Sequence, residues 1–362
     1  MNNDLKFNKL RSAIFGGFIG DAIGFLVEGQ SSKYIQSEYF KLLNNNEIFK
    51  YSRGYNNKTK LNGPVHINDK KDCKWLENPF QYTDDSQLSR EILISYTNHN
   101  NSFNWKDIAK RISVLVCDNK IVGRGGTTTT AAKNIKNGIS YHFSGVEGAT
   151  TNGAAMRSDI FGLLCSNIDE IIENVTISTR ITHNSSVCIA SSLAIALITH
   201  KSFHSIKINQ NQIIDECYPI LKKVNIEYAN NFLKLKEMLK TNDKDIIFKM
   251  LYNMEKNHWG DNRISSDATS STICSIYCFL SNINSYQSTI KTALSFGGDV
   301  DTIAKMAGSM SGAYLQISHI PKPFAKKLND RGEYGYDFIN KICEKIIFND
   351  LENKKNILKL FN

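Results

Sequence analysis

Two short acidic stretches hold the side chains best suited to chemistry. The first is Phe296-Gly297-Gly298-Asp299-Val300-Asp301-Thr302, where two carboxylates one residue apart follow a glycine pair and precede a helix-like run from Ile303 to Ile317. Carboxylates at that spacing converge on one point from a turn or helix start, but not from within a regular helix. The glycines allow a sharp entry and room for a close ligand. The second is Tyr82-Thr83-Asp84-Asp85-Ser86, ahead of a helix expected over 84–98. Each stretch taken alone is explained by helix capping, with Thr83 as N-cap and acids in the first turn meeting the dipole. Together they offer two sets of hard oxygens, the donor type that Mg²⁺ takes along with water. Two further acids stand near an apolar run: Asp21 inside Leu10–Leu26, and Glu28 just beyond it. A charge inside such a run needs a partner or partial exposure.

Polar turns supply the remaining candidates. Gly123-Arg124-Gly125-Gly126 leads through Thr127–Thr130 into a helix expected over 128–137, and such a loop can turn N–H groups toward phosphate. It lacks the P-loop lysine spacing, and no strand precedes it. Thr151-Asn152-Gly153-Ala154-Ala155-Met156-Arg157 enters a helix holding Phe161, Leu163 and Leu164. His183, between helices expected over 167–180 and 185–200, is read at a helix start, free to hydrogen-bond a ligand or to serve the core.

The elements that must position these residues read as helices. Residues 10–26 are nearly all apolar, with Gly16, Gly17, Gly20 and Gly24 marking close approach of another backbone or a ligand. Helices are also expected over 105–117, 271–281, 286–296 and 336–347. Residues 207–257 carry apolar side chains at i, i+3, i+4 among lysines, the pattern of peripheral helices. Residues 29–80, rich in Asn, Lys, Tyr and Gly, read as loop with short elements and little core. No alternating β pattern of any length is found, so the fold class is all-α.

Composition narrows the function classes. At 362 residues the chain can bury a large core, and no Pro-rich, Gly/Ser-rich or like-charge linker divides it, so residues 1–362 are taken as one domain. The formal charge is +9, with lysines dispersed among Asn and Ile and no zinc-finger, bZIP or RNP-type motif. A general compositional drift explains this better than a nucleic-acid surface. Eight cysteines occur without CxxC spacing, which points to neither a zinc knuckle nor a redox pair. The N-terminus lacks the apolar core of a signal peptide, and no apolar run is read as approaching the ~20 residues of a membrane span. The expectation is a monomeric intracellular protein, cytoplasmic or nuclear, without a membrane partner.

Five motifs in order resemble the ADP-ribosylglycohydrolase family: Gly20-Asp21-Ala22-Ile23-Gly24 with Glu28, Thr83-Asp84-Asp85-Ser86, Asn152-Gly153-Ala154-Ala155-Met156-Arg157, Thr182-His183, and Gly297-Gly298-Asp299-Val300-Asp301-Thr302. They span nearly the whole chain, and the branch acting on ADP-ribosylserine and related O-linked conjugates is the one that Ile276–Leu280 and Thr182–Ser186 look most like. The resemblance implies a compact orthogonal multi-helix fold around a central site for two Mg²⁺ ions, or Mn²⁺. It implies Thr83, Asp84, Asp85, Asp299, Asp301 and Thr302 as metal ligands, with Asp301 shared. Glu28, Asp84, Asp85 and Asp301 are implied in catalysis, and Gly125, Asn152, Gly153 and His183 in substrate binding. The chain departs from the family pattern at Ser86, Val300, Thr151 and Ile160, the last two in or near the ligand loop.

The implied reaction is metal-dependent hydrolysis of the C1″ glycosidic bond between ADP-ribose and a protein side chain or other conjugate. Such cleavage passes through an oxocarbenium-like state that nearby carboxylates stabilise. The alternative is a catalytically weak or inactive protein of the same fold that binds ADP-ribose or acts only through interactions. A helical metal phosphohydrolase would need several His ligands, and only His183 lies in a motif.

Overall fold

The computed structural model describes residues 2–45, 47–241, 243–260 and 263–360. The fold is all-α, as the sequence implies. Its longer helices are α1 (Asn3–Phe25), α2 (Asp84–Asn98), α3 (Trp105–Cys117), α4 (Gly126–Lys136), α5 (Ile168–Thr182), α6 (Ser186–His204), α7 (Gln210–Val224), α8 (Ile226–Leu233), α9 (Lys244–Tyr252), α10 (Ala268–Leu280), α11 (Tyr286–Ser295), α12 (Val300–Tyr314) and α13 (Tyr336–Leu360). Most starts are fixed by local side-chain caps. Thr83, Asn104, Asn167, Ser185, Asn209 and Asp267 each accept a backbone N–H of the first turn of their helix, relieving donors that no helix can satisfy internally.

The centre is the pairing of α1 with α12. A Cβ on Gly16 would lie 2.4 Å from the Gly308 carbonyl oxygen, one on Gly20 2.2 Å from that of Ala304, and one on Gly24 2.4 Å from Asp301 Cα. The small residues therefore admit another backbone, not a ligand. Around this pair, α6, α10 and α11 pack against α12. Helix α6 is apolar and long enough to cross a membrane by composition, contrary to the sequence expectation that no run reaches that length; its apolar window is 78% buried within the fold, the position of a core helix. Helices α7 to α9 present one apolar face inward, with Ile214, Cys217, Phe232 and Leu251 fully buried, as their spacing predicts.

Residues 29–80 contain more order than a loop. Strands β1 (Tyr51–Asn56), β2 (Leu61–His66) and β3 (Cys73–Leu76) form an antiparallel sheet in the order β2-β1-β3, with Ser52 opposite Val65 and Tyr55 opposite Trp75. Strands β1 and β2 mix polar and apolar residues irregularly and β3 is only four residues long, so the alternation that identifies a half-buried strand is missing.

Candidate metal centre

The two acidic stretches meet at the α1–α12 crossing. Asp84 and Asp85 open α2, and Asp301 and Thr302 lie in the first turn of α12, directly after Asp299. Gly297 and Gly298 adopt φ of 70° and 85°, a region that favours glycine. At Gly298 a Cβ would also lie 2.0 Å from the Ile264 carbonyl oxygen. This turn is pinned on both sides. The Gly298 N–H donates to the Gln30 carbonyl (2.9 Å), the Gly29 N–H to the Gly298 carbonyl (2.8 Å), and the Asp299 N–H to the Ile264 carbonyl (2.8 Å).

A cavity of about 320 Å³ brings together Glu28, Asp84, Asp85, Gly125, Asn152, Gly153, His183, Asp299, Asp301 and Thr302. Carboxylate oxygens of Glu28, Asp299 and Asp301 lie within 4.8 Å of one another, a spacing that one cation can bridge. The sequence reading gave Glu28 a catalytic place only; the geometry adds it to the groups able to touch a cation. Thr83 is the one site residue from the sequence that does not line the cavity. Its hydroxyl sits 2.9 Å from both Asp21 Oδ1 and Asp85 Oδ2.

Asp21 is the residue whose part the sequence left open. Its carboxylate accepts the backbone N–H of Thr83 (3.0 Å) and of Ser86 (3.1 Å). It thus binds the start of α2 to α1 and fixes where Asp84 and Asp85 stand. The apolar run around it was the signal that it needed a partner.

The electrostatics of this arrangement call for positive charge. Burial, followed by the charge of neighbouring carboxylates, holds Asp84, Asp299 and Asp301 well above the ordinary carboxylate range. Asp85 is pushed up to about 6 by burial, with the Thr83 hydroxyl and the Lys305 ammonium pulling the other way. Glu28 is raised by burial and eased by Arg53. Among the described residues, buried Asp85 Oδ1 and Asp301 Oδ1 have no hydrogen-bond partner. An all-oxygen donor set with orphaned carboxylate oxygens fits a hard divalent cation.

The polar wall opposite carries the neutral Asn152 and His183, with Arg124 at the loop before α4. Asn152 Nδ2 donates to Asp299 Oδ2 (2.6 Å) and Ser271 Oγ (3.0 Å). His183 is not at a helix start: it caps the C-terminus of α5, and Ser185 caps α6. Its ring nitrogens lie 3.1 Å from Thr151 Oγ1 and 2.8 Å from Thr182 Oγ1. Burial, then Arg157, pushes its pKa down to about 3. The departure from the family pattern at Thr151 is thus absorbed by a contact to the histidine, and Ile160 is simply buried in the core. Gly153 is required by close approach, since a Cβ there would lie 2.8 Å from the His183 ring. Gly125 is the exposed N-cap of α4.

Fold and cavity together define a mainly helical protein with a buried, cation-seeking acidic centre reached through a polar cleft. The ADP-ribosylglycohydrolase family model matches residues 1–356, and the chain belongs to that family. It is 25% identical over 381 residues to the ADP-ribosylhydrolase ARH3 of Xenopus tropicalis, covering 94% of this chain and 97% of that one. It is 26% identical over 277 residues to the Homo sapiens ADP-ribosylhydrolase ARH3, covering 67% and 72%. A solved structure described as an ADP-ribosylglycohydrolase-related protein complex superposes with a TM-score of 0.65 at 16% identity, covering 95% of this chain and 98% of that one, which shows the shared fold. Membership and these relatives support ADP-ribosyl hydrolase activity.

Proposed function

We propose that the chain hydrolyses the C1″ glycosidic bond between ADP-ribose and a modified protein side chain, releasing ADP-ribose. The observation that carries this reading is the group of buried Asp84, Asp85, Asp299 and Asp301 with half-buried Glu28 around one cavity, with orphaned oxygens on Asp85 and Asp301. Asp84, Asp85, Asp299, Asp301 and Thr302 would hold two Mg²⁺ ions, or Mn²⁺, with Glu28 within reach of the one beside Asp299 and Asp301, and with Thr83 orienting Asp85 from behind. When bound, such ions polarise ribose oxygens and lower the pKa of a bound water.

The protein's own groups account for the rest. Glu28 is half-buried at the cavity edge and is the proton-transferring group. Asn152 holds Asp299 in place through its amide. His183, neutral at working pH and held by Thr151 and Thr182, lines the cavity without adding charge beside the ADP-ribose. The exposed Gly125 and its neighbours at the start of α4 provide free N–H groups for the pyrophosphate. Closely grouped carboxylates stabilise the positive charge that grows at C1″. We take the enzyme to act as a monomer in a reducing compartment, cytoplasmic or nuclear, as the sequence suggests; its eight cysteines are free.

Turnover of ADP-ribosyl-serine, ADP-ribosyl-arginine and poly(ADP-ribose) substrates with Mg²⁺ tests the proposal. The Asp299→Asn, Asp301→Asn double variant should fold and lose ADP-ribose release. Undiminished release by that variant refutes the reading. Binding of ADP-ribose by the wild type without turnover of any substrate would favour the binding-protein alternative.

A further inference from the structure

Glu28 does not lie on a helix. It stands in the turn that follows α1, and a turn by itself does not fix a side chain against the neighbouring Asp299 and Asp301. What holds this turn comes from the sheet. Arg53 lies on the central strand β1, paired opposite Pro64 of β2, and its side chain is 10% exposed. Its Nη1 donates to the carbonyl of Phe25 (2.9 Å) and to that of Glu28 itself (2.8 Å). The first is an end-of-helix carbonyl of α1, a group with no partner inside the helix. The guanidinium carbon lies 5.5 Å from the centroid of the Phe25 ring, within cation–π range. Beside it, Gln30 Nε2 donates to the Asn62 carbonyl of β2 (2.7 Å). On the other face, Gly29 and Gln30 pair with Gly298, next to Asp299.

The turn carrying Glu28 is therefore gripped between the sheet and the Gly297-Gly298 turn. We propose that Arg53 is a positioning residue for Glu28, and that the sheet of residues 51–76 serves the acidic centre by presenting it. Arg53 does not line the cavity; it acts through the two carbonyls that set the course of residues 25–28 and through its Nη2, 3.9 Å from Glu28 Oε2. A lysine keeps the charge but not the planar fork that lets one group serve fixed acceptors. The inference rests on the reading of the cavity as a cation site.

Two measurements on the full chain test it. By hydrogen exchange, R53A should raise exchange of the amides in residues 26–31 about ten-fold while leaving α2 unchanged. By calorimetry with Mg²⁺ alone, R53A should bind about ten-fold more weakly, the scale seen when a group orienting a ligand is removed. R53K should recover part of that loss. E28Q/R53A should bind no more weakly than E28Q, because Arg53 acts through Glu28. Unchanged exchange in 26–31 overturns the proposal. So does an equal further loss of Mg²⁺ affinity in the E28Q background, which would make Arg53 a general scaffold residue. If the wild type takes up no Mg²⁺, the functional reading fails, and the exchange result alone decides whether Arg53 fixes the turn.

Discussion

Asp85→Asn should stabilise the cation-free protein at high pH while abolishing its activity. Burial raises the Asp85 carboxyl to about 6, against about 3.9 in an unfolded chain. The unfolded state therefore gives up this proton first as pH rises. The cation-free fold is favoured below about pH 4 and loses stability as pH climbs from about 4 through about 6. The full difference corresponds to about 3 kcal/mol above that window. An asparagine removes that loss but weakens the contact to the Thr83 hydroxyl, which costs about 1 kcal/mol. The net gain at pH 8 is about 2 kcal/mol. At about 2.1 cal/mol/K of unfolding entropy per residue, this raises Tm by about 2–3 °C.

The assay is thermal unfolding in a chelator at pH 4 and pH 8, then at pH 8 with Mg²⁺. With Mg²⁺ at a hundred times its Kd, the wild type should gain about 2.7 kcal/mol per site. The variant should gain less, so the order of the two proteins reverses. A lower Tm for Asp85→Asn at pH 8 without cation would refute the argument that this carboxylate is held in electrostatic tension.

Other perturbations probe the scaffold and the polar wall. Gly24→Ala puts a methyl where Asp301 Cα stands 2.4 Å away; it should cost about 1–3 kcal/mol in denaturant titration and reduce turnover as well, by moving Asp301. Lys305, fully buried, donates to Asp159 Oδ1 at 2.5 Å and to Ser89 Oγ at 3.0 Å. Lys305→Met should destabilise by about 3–5 kcal/mol by leaving Asp159 unpaired, and Lys305→Met with Asp159→Leu should recover most of that in the same titration. His183, held near 3, stays neutral through pH 5–8, so His183→Gln should raise KM and leave the shape of the pH–rate profile unchanged; loss of a limb in that range would contradict this.

Much of the helical frame was legible because its signals are local. The expected spans 84–98 and 105–117 coincide with α2 and α3, since Thr83 and Asn104 announce their starts and each helix carries its own apolar stripe. The glycines of α1 pointed to a close neighbour, and α12 supplies it. The sheet escaped because its strands mix polar and apolar residues without regular alternation, although β1 and β2 pair as a local hairpin with Asn56 opposite Leu61. Tyr51–Asn56 gains strand character only from Leu61–His66 and Cys73–Leu76. His183 was set at a helix start because two helices meet there within a few residues, and sequence periodicity cannot say to which one it belongs. Asp21 declared a need for a partner, but that the partner would be the start of α2, 62 positions away, is information only the folded chain holds. Arg53 gave no signal: one arginine in a polar stretch resembles any surface cation.

The α1–α12 seam has a consequence for how this molecule tolerates change. Its spacing is set where main chain meets main chain, so no side-chain repacking can adjust it. Gly16, Gly20 and Gly24 on one side, with Gly308 and Gly312 on the other, leave no room for even a methyl. A saturation library should therefore show a sharply divided map. The lysine-rich outer faces of α7 to α9 should accept most replacements, while this narrow column of glycines should accept almost none. The column acts as a spacer gauge for the acidic centre, because Asp301 lies directly against Gly24. Attempts to widen or retune the cavity should succeed from the loops around it and fail from the seam beneath.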